Sequence, residues 1–165
     1  MKTRWPAALL PLLVLAGAAA ASEPAPGGSA AALDIARATR AEWRLGRLIL
    51  ERREGRQPRV RAEVMSGGAV VARLRVDAAT GGFLAKDKRA QTSSASPELG
   101  RLRGDVEREL GRVEVGGWAW PSKHGRAWGV PLRYQGRVIG KLTVDVRQRK
   151  LLATRSEDEG EEDDD

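Results

Sequence analysis

The chain of 165 residues contains no cysteine and a single histidine. Without cysteine there is no disulfide framework and no cysteine-held zinc, haem or redox site. One histidine cannot supply a two-histidine metal site. No glycine recurs at i+2, so the G-x-G-x-x-G dinucleotide fingerprint is absent, and no Gly-Lys pair forms a phosphate-binding loop. Aromatic residues make up 4%, with one Phe and one Tyr beside five Trp. The length suits one domain, or two small units that bury surface together, because units of roughly 60 residues are marginal alone.

What is present begins with a targeting pattern. Lys2 and Arg4 precede an apolar run from Ala7 to Ala21, and Ala19 and Ala21 stand before Ser22 as an A-x-A-like cleavage site. This predicts a Sec-type signal peptide over residues 1–21. The competing reading is an uncleaved anchor, but a span takes about 20 apolar residues, and Pro11 interrupts this shorter run. The expected mature protein is periplasmic or secreted, with no stable membrane span.

The net charge of +7 averages unlike parts. Residues 157 to 165 hold eight acids and no base, while Ser22 to Ser156 hold 27 bases and 14 acids. A body of +13 is thus followed by a segment of −8. That segment, taken as 155–165, has nothing apolar to bury and is expected to be disordered. It could serve solubility, cover the basic body, or hold divalent cations weakly.

Residues 22–32 begin Ser-Glu-Pro-Ala-Pro-Gly-Gly-Ser and read as a linker, and the polar stretch 89–95 reads as a second. Each of the two parts between and after them reads as a helix followed by strands. Ala32, Ile35, Ala36, Thr39 and Trp43 share one helical face, with Arg37, Arg40 and Arg44 off it. In the second part Ser96 is a natural N-cap, Pro97 suits the first helical position, and Leu99, Leu102, Val106 and Leu110 form the stripe. The period then changes to two. Val60, Ala62 and Val64 alternate with charges, Gly67-Gly68 supplies a turn, and Val70, Ala72, Leu74 and Val76 alternate again. Leu48 and Leu50 offer a preceding strand, although Leu45 to Leu50 could instead extend the helix.

The second part repeats the first. A shift of 68 positions lays Val70-Val71-Ala72-Arg73-Leu74-Arg75-Val76-Asp77 on Val138-Ile139-Gly140-Lys141-Leu142-Thr143-Val144-Asp145, with four identities and three conservative pairs. Phe83-Leu84 falls on Leu151-Leu152 at the same shift. Agreement of face, turn and following pair indicates an internal duplication.

The order helix, strand, turn, strand, closed by Val76-Asp77-Ala78-Ala79-Thr80-Gly81-Gly82-Phe83-Leu84, resembles a PepSY-type domain, a small α+β module of exported bacterial proteins and of secreted metallopeptidase propeptides. In that ending Asp77 can cap the turn and Gly81 can take positive φ. The second copy keeps Asp145 and Leu151-Leu152 but has Gln148 and Arg149 in place of Thr80 and Gly81, so its turn should differ. The expected fold is α+β, two tandem PepSY-like modules over 33–88 and 96–154, each a helix packed on its own small antiparallel sheet. The resemblance implies a non-catalytic module that binds or inhibits a peptidase, sensor or other envelope protein. It carries over no catalytic residue.

Chemistry-bearing side chains are few. His124 lies in a Pro/Gly-bounded loop with Ser122 and Lys123, where adjacency does not make a dyad. No enzyme, cofactor or metal is expected. The best binding candidates are Trp118, Trp120 and Trp128, read as sharing one sheet face, either as core or as a surface rimmed by Lys123, Arg126 and Arg133. Two readings follow: a protein-interaction module, and an electrostatic binder of an anionic polymer such as lipopolysaccharide, polysaccharide or nucleic acid, masked by the acidic segment.

Overall fold

A computed structural model describes residues 28–52, 58–85, 98–122 and 127–154. The signal peptide, the stretch 89–95, Ser96, Pro97, Lys123, His124, Arg126 and the acidic segment 155–165 lie outside these described residues. The fold is mixed α+β, with two helices and antiparallel sheets. Among the described helices none is long and apolar enough to cross a membrane.

Helix α1 spans Gly28–Ala38 and runs on through a 3₁₀ turn, Thr39–Glu42. It therefore begins inside the stretch assigned to a linker. The reason is packing: Gly28 is buried with its α-carbon against the Trp128 indole, where an added Cβ would stand 2.5 Å from the ring. Ala32, Ile35 and Ala36 form the buried stripe, and Trp43 follows it into the core. Strand β1 (Arg44–Glu51) comes next, so Leu45 to Leu50 do not extend the helix. With β2 (Arg59–Ser66) and β3 (Ala69–Val76) it makes a sheet of order β1-β2-β3.

Helix α2 spans Leu99–Leu110 and buries Leu102, Val106 and Leu110. Its N-cap position is Glu98 rather than Ser96, without a side-chain cap bond. Two short strands, β4 (Glu114–Val115) and β5 (Trp120–Pro121), pair with β6 (Trp128–Tyr134), which pairs with β7 (Arg137–Asp145), which in turn pairs with β8 (Lys150–Leu151).

The second hairpin reproduces the first in backbone detail, 68 positions on. Positive φ occurs at Gly67 and Gly68, and again at Gln135 and Gly136. The register slips between Val64 and Met65, and again between Leu132 and Arg133. Val76 bridges Phe83 as Val144 pairs Leu151, and the Leu84 amide donates to the Arg75 carbonyl as Leu152 does to that of Thr143. The Asp77 carboxylate accepts from the Ala79 amide and that of Asp145 from the Gln148 amide, both at 2.9 Å, so the turn-capping role holds at both positions. The closing turns share their handedness as well: Gly81 has φ 73° and Arg149, its equivalent, φ 50°. The turns differ, as expected, in the amide that the aspartate caps, two residues on from Asp77 and three from Asp145, and in the residue at the left-handed position, where an arginine is held at a cost of about 1 kcal/mol.

The helices do not pack as expected. α1 lies chiefly against β6 and β7, the strands of the other sheet, and α2 chiefly against β1. One residue, Trp43, separates the 3₁₀ turn from β1, so the chain has no length in which α1 could double back over the sheet it leads into. The two sheets also meet directly. Gly140 on β7 faces Leu74 on β3 so closely that a Cβ there would stand 2.6 Å from Leu74 Cδ2. Phe83 crosses edge-to-face on Tyr134 at 5.6 Å between ring centroids. The result is one apolar core built from both helices and both sheets.

Candidate binding surfaces

The tryptophans separate. Trp120 on β5 pairs with Gly129, and its indole covers that glycine at a distance that leaves no room for a Cβ. Paired residues share a face, and successive residues alternate, so Trp128, next to Gly129, points to the opposite side. There it rests on Gly28 of α1 and packs against the core with Val130 and Leu132. Trp118 lies outside any strand, in the segment between β4 and β5. The expectation of three indoles on one face is therefore corrected: Trp128 belongs to the inner side, while Trp118 and Trp120 are exposed by 48% and 38%. Arg133 sits at the far end of β6, donating to the Gly136 carbonyl at 2.7 Å, and does not rim them.

The exposure of Trp118 has a countable cause. Between the residues that pair with Val64 and Arg61, β1 carries Gly46, Arg47 and Leu48. Between those that pair with Leu132 and Gly129, the second sheet carries Gly116, Gly117, Trp118 and Ala119. One added residue converts a bulged continuous strand into two short ones and pushes an indole outward.

The outer face of the first sheet is ionic. Alternation places Arg47, Glu51, Arg59, Arg61, Glu63, Arg73 and Arg75 there, opposite the buried Val60, Ala62, Val64 and Leu74. Glu63 is buried among them, 3.1 Å from Arg47 Nε and 3.4 Å from Arg73 Nη2. The Arg47 hydrogen bond, with help from Arg73, outweighs desolvation and holds its carboxyl below the usual carboxylate range. Arg61 pairs with Glu51 at 2.9 Å and stands directly opposite Arg75. Burial, then the charges of Arg59 and Arg61, push the Arg75 guanidinium below its usual value. The equivalent of Glu63 in the second sheet is Pro131, buried under Gly116.

A third feature was not legible from one stretch of chain. A cleft of about 870 Å³ is lined by Arg37, Arg40, Trp43, Arg44, Leu45, Arg103, Glu107 and Leu110. Arg40 Nε and Nη2 donate to the Val113 and Gly111 carbonyls, just beyond α2, at 2.9 and 2.8 Å. Arg103 donates to Leu45 and Gly46 carbonyls and pairs with Glu107 at 3.0 Å. Arg44 donates to the Ala41 and Trp43 carbonyls. The Trp43 indole N–H, buried in the wall, has no acceptor among the described residues. The spacing of Arg37, Arg40 and Arg44 is a property of the sequence; their convergence with Arg103 depends on how α2 packs on β1.

Near the far end of α2, Tyr134 donates to Glu109 at 2.5 Å and Arg112 pairs with Glu109 at 3.0 Å. Burial, then the Glu109 carboxylate, pushes the Tyr134 hydroxyl above its usual value. Among the described residues no group of His, Asp or Glu is arranged to hold a metal. No protein-family model, no curated protein and no solved structure matches the chain.

Proposed function

We propose that the chain is an exported, non-catalytic interaction module of the PepSY type, duplicated, with the second copy altered to present Trp118 and Trp120 to an envelope protein or peptidase. The observation that carries this reading is the pair of exposed indoles beside a one-residue insertion that breaks an otherwise repeated strand. Large aromatic side chains are the usual anchors of protein interfaces, where they bury much area at little entropic cost. The shared turn, bulge and closing pair support the duplication, and the Asp77 and Gly81 geometry supports the PepSY resemblance. The targeting pattern of residues 1–21 supports export to the periplasm or beyond. The test is capture from an envelope extract by the wild-type chain and by a Trp118→Ala/Trp120→Ala variant. A protein enriched by the first and lost with the second supports the reading; equal recovery by both overturns it.

The outer face of the first sheet favours a second reading, an electrostatic binder of an anionic polymer. Five arginines share that face with two glutamates. Neutralising about four anionic groups makes affinity fall about a hundredfold between about 50 and about 200 mM salt. A weak salt response in heparin binding would exclude it.

A further inference from the structure

The arginine-lined cleft raises the question of what neutralises it. Four guanidiniums face one carboxylate, Glu107, among its lining residues. Among the described residues Arg37 reaches only Asp34, at 3.8 Å on the surface. Arg40 and Arg44 are held by backbone carbonyls and, among the described residues, by no carboxylate. Charge-assisted hydrogen bonds to a carboxylate are roughly twice as strong as those to a neutral carbonyl, so this cleft presents donors whose strongest partners are missing. Trp43 lines the same cleft, and its buried indole N–H has no acceptor among the described residues.

We propose that this cleft is the docking site of the chain's own acidic segment, Glu157 to Asp165. The described chain leaves the fold at Thr154, whose amide donates to the Val70 carbonyl at 2.8 Å on the open side of β3. Val70 pairs with Met65, and Met65 pairs with Arg44 at the cleft. Three inter-strand steps of about 4.8 Å therefore separate the exit from the rim, about 14 Å in all. The eleven residues beyond Thr154 can extend about 36 Å, enough to go around the sheet end rather than through it. Eight carboxylates without a base between them match the arginine rim in sign and exceed it in number. Tethering supplies an effective concentration in the millimolar range, so each carboxylate–guanidinium contact can be individually weak.

The inference shares its charge argument with the polyanion reading but not its site, which is the cleft and not the outer face of the first sheet. Its test is a comparison of ¹H–¹⁵N spectra of the full chain and of a full-length variant with every acid of the segment made an amide, from Glu157→Gln to Asp165→Asn. The expected result is a shift of the Trp43 indole cross-peak and of the Arg40, Arg44 and Arg103 signals between the two. Raising salt to about 1 M should move the parent spectrum towards that of the variant. In an Arg44→Gln chain the difference at Trp43 should shrink while signals of the second sheet stay in place. Identical Trp43 and Arg103 signals in parent and amide variant overturn the proposal, and so do shifts confined to Arg59, Arg61 and Arg75. Heparin binding that is insensitive to salt sinks the polyanion reading and leaves these spectra unaffected.

Discussion

The two sheets share a backbone plan and differ in what covers their outer faces. In the first, β1 is continuous and Glu63 sits buried between Arg47 and Arg73. In the second, Pro131 stands at the position of Glu63, the first strand is split, and Trp120 lies over Gly129. One face is held by charges that need each other, the other by apolar contact and glycine. A backbone plan that recurs in both sheets thus tolerates opposite solutions wherever turn, bulge and closing pair are kept.

The largest single loss should appear at those equivalent positions. Glu63→Ala takes this carboxylate from the largely buried Arg73 while Arg47 stays in solvent, and should cost about 2.5 kcal/mol, whereas Pro131→Ala removes packing and the ring's restraint on the unfolded chain and should cost about 1 kcal/mol; urea unfolding measures both, and equal losses would break the contrast. The pH dependence divides the same way. The lowered Glu63 value means its contribution is complete above the ordinary carboxylate pKa of about 4 and fades as pH falls through the lowered value. Tyr134 is raised, so its contribution is complete below about 10 and is lost as pH climbs through the raised value. Glu63→Gln should flatten the acid limb of a stability profile and Tyr134→Phe the alkaline limb.

A smaller effect separates the closing turns. Gly81→Ala meets positive φ and places its Cβ 2.6 Å from that of Asp105, and should cost about 2 kcal/mol. Arg149→Gly relieves the same conformation on the surface and should add about 1 kcal/mol by thermal melting. Smallest of all, Trp118→Ala should change stability by under about 0.5 kcal/mol. A loss of several kcal/mol there would mean that the indole is structural and would remove the basis for an interface.

Much of the plan was readable in advance. The hairpin around Gly67-Gly68 announced itself by alternation and by two residues free to take positive φ, and the helical stripes by spacing. Asp77 and Asp145 were read as turn caps because an aspartate there can accept from the amides that follow. The N-cap at Glu98 and the turn at Arg149 are local departures; the larger ones concern relations between distant segments. Trp120 and Trp128 lie on opposite faces because pairing aligns Trp120 with Gly129, and no local pattern states that register. The helices exchange partners because a one-residue link denies α1 its own sheet. Arg149 adopts a glycine's conformation because the β7–β8 pairing around it imposes the turn on a residue of the wrong type. The cleft has no local signature because Arg37, Arg40 and Arg44, on α1, its 3₁₀ turn and β1, meet Arg103 of α2 some 60 positions further on.

The exchange of helices also governs the order in which this molecule can be assembled. α1 is made about a hundred residues before its partners β6 and β7. Contacts of such separation make folding slow and late. Neither half can close its core while the other is missing, so a chain emerging from a ribosome stays extensible until β7 has arrived. Unfolding should likewise proceed as one event: a cut in the chain between β3 and α2 would leave two fragments that must find each other, rather than two domains that survive apart.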